Sequence, residues 1–153
     1  MFSLLKQNFN AATELSLFLS EADGRGATTS FIGTVRGKEQ KQEVNALFIE
    51  HHPVLTEKSI REIIMQACNR WRLLRYLVLH RIGTIHSGED IVLVATTATH
   101  RRDAFEAVDF IMDYLKADAL FWKKQITETG AEWIEPRAQD YQDKKRWRDN
   151  AGY

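Results

Sequence analysis

The sequence predicts an α+β fold, a largely antiparallel sheet with helices packed against it. Two observations carry that expectation. Strand-like and helix-like stretches are mixed along the chain, and strand-like neighbours are joined by returns too short for the helical crossover of a parallel pair. A third observation sets the domain count. The 153 residues contain no repeat, low-complexity tract or linker, so 1–153 reads as one domain. A chain of that size buries roughly 68–70% of its unfolded surface, enough for a real core.

Asn10 is placed to cap a short helix whose apolar positions are Ala11, Leu15, Phe18 and Leu19, and Asp23-Gly24 and Gly26 break it. Residues 27–36, rich in Thr, Phe, Ile and Val, read as a strand. Residues 37–43 have the composition of a mobile polar loop, and 44–52 read as the returning strand, ended by Pro53. Residues 56–71 form an amphipathic helix with Ile60, Ile63, Ile64, Ala67 and Trp71 on one face. A third strand covers 75–81, a turn 86–90, and a nearly all-apolar strand 91–98 that belongs in the middle of a sheet. Thr99-His100-Arg101-Arg102 leads into a second long helix with core face Ala104, Phe105, Val108, Ile111, Met112 and Leu115. Residues 120–127 and 131–135 read as a hairpin around Thr129-Gly130. The charged tail, 138–153, reads most simply as a solvated helix over 140–149, and Trp71, Trp122, Trp133 and Trp147 read as packing residues.

Lys+Arg and Asp+Glu both total 21, so the chain has no global basic field, which speaks against nucleic-acid binding as its main role. No apolar run approaches the ~18–20 residues of a membrane span, and the first ten residues do not resemble a secretory signal. The expected location is cytoplasmic. Cys68 is the single cysteine, so no intramolecular disulfide forms, and its place four residues after Ile64 suits core packing. His51, His52, His80 and His86 lack the spacing of a zinc site, so no metal is expected.

Three groups of residues could carry chemistry. Thr99-His100-Arg101-Arg102 joins a buried strand to a helix start, where free N–H groups and the helix dipole favour an anion such as phosphate; Asp103 as a simple counter-charge is the plainer alternative. Lys116 lies at the end of that helix and Lys123 just beyond it. Strand alternation puts Phe121, Lys123 and Gln125 on one face and Trp122, Lys124 and Ile126 on the other, so one of the adjacent lysines faces the covered side. Arg36 ends the first strand and could complete a basic pocket with the others. Crowded positive charge and burial lower a lysine's pKa and leave more neutral amine near pH 7, able to act as nucleophile or base.

Separated blocks then agree in order with one family. Residues 26–36 (GATTSFIGTVR), Asn45-Ala46-Leu47, Glu50-His51, Thr56-Glu57-Lys58, Asn69-Arg70-Trp71, His80-Arg81-Ile82-Gly83 and Gly88-Glu89 resemble the molybdopterin synthase catalytic subunit. So do Ala98-Thr99-His100-Arg101, Ala104-Phe105-Glu106-Ala107, Ile111-Met112-Asp113-Tyr114-Leu115-Lys116 and Phe121-Trp122-Lys123-Lys124, and the resemblance spans about residues 24–137. It implies a hammerhead-type α+β fold and a sulfurtransferase. Such an enzyme converts cyclic pyranopterin monophosphate to molybdopterin, taking sulfur from the C-terminal Gly-Gly thiocarboxylate of a small ubiquitin-like subunit. It implies a heterotetramer built on a dimer of large subunits, with no cofactor of its own.

By the same resemblance, Lys116 and Lys123 are the catalytic lysines. Thr34, Val35, Arg36, His100, Arg101, Lys124, Gln125 and Arg137 match substrate-binding positions, some reaching the pocket from a second protomer. Two departures stand out. Ala119-Leu120 replaces the proline that often precedes the Phe-Trp-Lys triplet, and Thr34 stands where a lysine is common. The competing readings are a non-catalytic module that grips a ubiquitin-like partner and a phosphate- or RNA-binding domain.

Overall fold

The computed structural model describes residues 1–21, 26–39 and 42–149. The break expected at Asp23-Gly24 and the centre of the polar loop, residues 40–41, lie outside the described residues. Strands β1 (Phe2–Leu5), β5 (Arg75–Arg81), β7 (Asp90–Ala98) and β2 (Ala27–Thr34) form a first sheet in the order β1-β5-β7-β2. Only β1 runs parallel to its neighbour; the other pairs are antiparallel. The apolar 91–98 run is central, as expected, because both of its faces are covered.

Alternation on β5 and β7 divides the core. Val78, Val92 and Val94 face α2 (Pro53–Trp71) and α3 (Arg101–Ala117), while Leu77, Leu79, Leu93 and Ala95 meet α1 (Ala11–Ser20) on the other side. Asn10 caps α1 through its side chain, accepting from the Thr13 N–H at 2.9 Å. Cys68 packs partly buried against the α2–α3 cluster.

The second sheet departs from expectation. The run after the polar loop, β4 (Gln42–His51), does not return along β2. It pairs with β8 (Phe121–Thr127) and with β6 (Gly83–His86), a strand where the sequence suggested only connection and turn. Beyond β8 lies β9 (Gly130–Ile134), the hairpin partner expected. The polar loop itself contains a two-residue strand, β3 (Lys38–Glu39), paired with the start of β4. The reason is burial: Val44, Ile49, Val35 and Ile85 form their own small core, which β4 could not reach beside β2.

Two packing expectations also change. Phe105 is 56% exposed, and Ala107 and Phe110 take its place on the buried face of α3. The tail is docked rather than solvated. Helix α4 (Ala138–Asp149) packs Trp147 edge-on against both Trp71 and Phe110, with ring centroids 5.7 and 5.6 Å away. Trp122 and Trp133, by contrast, stay exposed. No helix among the described residues is long and apolar enough to cross a membrane.

Candidate active site

Lys116 occupies the last turn of α3, exposed, where a cation complements the negative end of the helix. The helix stops at Ala117 without a proline. Leu120 makes the break instead, with φ at 50°, a left-handed conformation costing a non-glycine residue roughly 1–2 kcal/mol. Helix α2 holds it there. Thr56 Oγ1 donates to the Leu120 carbonyl at 3.1 Å, and Ser59 Oγ donates to the Asp118 carbonyl at 3.2 Å. Strand β8 therefore begins immediately after the reversal and carries Lys123 back toward the helix end.

On β8 the inward face holds Phe121 and Lys123. The Phe121 ring stacks on His80 of β5, 4.2 Å between centroids and 15° from parallel. His80 is buried, with Nδ1 2.7 Å from the Arg81 carbonyl oxygen. A carbonyl only accepts, so Nδ1 carries a proton. Burial and then the charge of Lys123 push the His80 pKa down to about 3. Lys123 lies within electrostatic reach of both this ring and Lys116 at the end of α3. Its pKa falls from 10.5 to about 8, first through burial and then through the neighbouring Lys116, with the Asp140 carboxylate opposing the shift.

Asp140 lies within electrostatic reach of Lys123 and is bonded to the backbone of Arg137. Its Oδ2 accepts from the Arg137 N–H at 2.8 Å, half of a capping box at the start of α4. The Arg137 side chain reaches back to β3, where Nη2 donates to Glu39 Oε1 at 2.9 Å. Arg36 Nη1 donates to the other oxygen of the same carboxylate, Oε2, at 3.2 Å. Residues 36, 39, 137 and 140 are thus joined by direct bonds, and Asp140 brings this charged group within electrostatic reach of Lys123 and, through it, of Lys116.

The remaining predicted site residues lie elsewhere in one chain. Arg101 and Lys116 are at opposite ends of α3, roughly 22 Å apart at 1.5 Å per residue. His100 is the N-cap of that helix, makes no side-chain capping bond, and is exposed beside Arg101. Thr34 is exposed at the irregular end of β2. The Val35 side chain is 2% exposed, packed in the second core, and its N–H donates to the Glu89 carbonyl at 3.0 Å, fixing the backbone that leads to Arg36. Lys124 is on the opposite face of β8, its ammonium 5.1 Å from the Trp133 ring centroid. Gln125 shares the Lys123 face.

Sequence reasoning missed Glu39, His80 and Asp140. Asp140 had a signal, an acid three residues into a helix preceded by Arg137. His80 had a weaker one, a polar residue in a buried alternating strand. Glu39 had none, because its role depends on the β3 turn and on α4 docking. Among the described residues no three His, Cys, Asp or Glu side chains converge as a metal site would require.

Fold and site define an α+β protein with a low-pKa amine close to a second lysine. The family described as MoaE protein matches residues 4–118. The chain is 48% identical over 131 residues to the molybdopterin synthase catalytic subunit of Haemophilus ducreyi, covering 86% of this chain and 87% of the relative. It is 49% identical over 130 residues to that of Escherichia coli, covering 85% and 87%. Among solved structures, a molybdopterin biosynthesis MoaE protein from Burkholderia ambifaria matches with a TM-score of 0.78 and 36% identity, over 96% of this chain and 98% of that one. Molybdopterin synthase from Staphylococcus aureus matches with a TM-score of 0.78 and 26% identity, over 87% and 96%. The chain belongs to the MoaE family of molybdopterin synthase catalytic subunits, sulfurtransferases of molybdenum cofactor biosynthesis.

Proposed function

We propose that the Lys116–Lys123 cleft carries sulfur from the C-terminal Gly-Gly thiocarboxylate of a small ubiquitin-like subunit to cyclic pyranopterin monophosphate, forming the dithiolene of molybdopterin. One observation supports this above the others: an amine with a pKa of about 8 beside a second lysine, with Asp140 coupling it to the segment that carries Arg137. Both reactants are anions and need cations to enter a partly dry cleft. Lys116 polarises the thiocarboxylate carbonyl and stabilises the charge that develops there. Water adds to the acyl carbon as its C–S bond breaks, so the donor tail leaves as a carboxylate. Each sulfur forms a C–S bond at a side-chain carbon whose C–O bond breaks, one oxygen staying on the phosphate as its ring opens and the carbonyl-level oxygen at the other carbon leaving as water. A dithiolene takes two sulfurs, so two donor tails are consumed. Lys123, poised near neutrality, moves protons on the pterin side chain. Arg36 and Arg137 hold the phosphate, and Thr34, Gln125 and Lys124 border the substrate.

One chain keeps Arg101 far from Lys116, so we assign His100 and Arg101 to the cleft of a second copy, in a homodimer within a heterotetramer. Residues 1–153 then act as one cytoplasmic domain whose single cysteine takes no part in sulfur relay. The test is single-turnover dithiolene formation from the cyclic pterin and thiocarboxylated small subunit. Folded Lys116→Ala and Lys123→Ala proteins lose at least a hundredfold in rate if the lysines perform these steps; near-normal rates in both would remove them. Equal mixing of His100→Ala and Lys116→Ala chains restores about a quarter of wild-type sites if the cleft is shared between copies. No recovery on exchange would place every group in one chain.

A further inference from the structure

The Arg36–Glu39–Arg137 cluster is an anion site that already holds an anion. Each oxygen of one carboxylate accepts from a different guanidinium, at 3.2 and 2.9 Å. The two arginines come from opposite ends of the chain, one following β2 and one preceding α4. Without the carboxylate, two positive groups would converge with nothing between them, so a vacant clamp is unfavourable. The arginine side chains are 68% and 66% exposed while that of Glu39 is 30% exposed. The clamp therefore opens outward, and an incoming anion reaches the guanidiniums from solvent.

We propose that Glu39 is a built-in counter-anion that fills the Arg36–Arg137 clamp of the empty protein and is exchanged, one for one, for the phosphoryl group of the ligand. The proposal deepens the phosphate-binding reading above and rests on it for the identity of that group. A phosphoryl group presents two oxygens to a guanidinium pair as a carboxylate does; the cyclic diester of the incoming pterin carries a single charge, and the monoester left when that ring opens carries about −1.5 to −2 at pH 7. The opened monoester therefore displaces a side-chain carboxylate, whereas a free monocarboxylate has no charge advantage over the one in place. Glu39 in this way sets a threshold that phosphate monoesters pass and the acidic ends of peptides do not. It keeps the arginines aligned between turnovers and acts through them, as a positioning residue.

The test measures binding of methyl phosphate and of acetate by calorimetry, with the arginine side-chain ¹⁵N resonances as a site-specific readout. Wild type is compared with Glu39→Gln and Glu39→Ala, each confirmed folded by its melting curve. Removal of two largely exposed ion pairs tightens methyl phosphate roughly five- to tenfold in both variants. The gain disappears when Arg137→Gln is added, because the clamp is then gone. An unchanged affinity in both variants would overturn the proposal. So would a gain that survives Arg137→Gln, which marks a general charge effect. Acetate binding as tightly as methyl phosphate in Glu39→Gln would overturn the phosphoryl assignment. No sulfur donor is present, so failure of the sulfur-transfer reading leaves this result standing, and the reverse also holds.

Discussion

Replacing Lys123 with methionine should make the protein more stable at neutral pH while removing activity. The argument follows the proton. Lys123 has an ordinary pKa of 10.5 in the unfolded chain and about 8 in the cleft, through burial and the positive Lys116. Between those two values the unfolded chain binds more protons than the folded one, so stability rises with pH across that window. Below pH 8 the folded state bears the full cost of holding a charged, desolvated ammonium. A shift from 10.5 to about 8 corresponds to an upper bound on the order of 3 kcal/mol. Solvent reaches part of the side chain, which reduces the expected gain for Lys123→Met to roughly 1–2 kcal/mol. His80, which faces Lys123, titrates at about 3, far below the window. Urea unfolding of both proteins at a fixed concentration, at pH 7 and again above pH 10, gives the answer. The variant should be more stable at pH 7, with the difference shrinking as pH passes from 8 to 10.5. A less stable variant at pH 7, or a difference independent of pH, would refute the assignment of a desolvated ammonium.

Trp147→Ala should cost roughly 3–5 kcal/mol, because it empties a buried aromatic site and abandons the Trp147 Nε1 bond to Asp113 Oδ2 at 2.6 Å; limited proteolysis within 138–149 would report the release of α4. Gly26→Ala should lower the melting temperature, since its Cβ would collide with the backbone of Ala98 and Thr99, where no flexible side chain can yield. Lys116→Met should raise the Lys123 pKa without restoring 10.5, because burial is the larger cause and the like charge the smaller one; NMR titration of the lysine Nζ resonance measures it.

Local patterns gave the long helices and the first sheet. Asn10, the Ile60–Ile63–Ile64–Ala67 face and the apolar 91–98 run each announce their element through nearest neighbours in sequence. What was not legible depends on contacts between distant segments. Strand β4 has the composition of a returning strand, and only the small core of Val35, Val44, Ile49 and Ile85 draws it to β8 and β6. Helix α4 reads as charged and exposed, and Trp147 becomes a core residue only because Trp71 and Phe110 leave room for an edge-on ring. The site divides the same way. The lysines and Arg36 were legible through residue type and resemblance, whereas Glu39 and Asp140 acquire meaning when α4 and β3 bring residue 137 to the cleft.

Two local rules are broken within four residues of each other, at the start of β8. Leu120 takes a backbone conformation leucine disfavours, and Lys123 holds a charge where little water reaches it. Such violations persist only where surrounding structure enforces them. Here the enforcement is specific. Thr56 and Ser59 of α2 hold the carbonyls on either side of Ala119, and the Phe121 ring is fixed against His80. Lys144 Nζ on α4 meets Asp118 Oδ1 at 2.5 Å, fastening the helix end that precedes the reversal. The same contacts therefore keep the strained turn and the low-pKa amine in place. Loosening that turn would let Lys123 swing into water, and its pKa would climb back toward the ordinary value before the fold as a whole was lost.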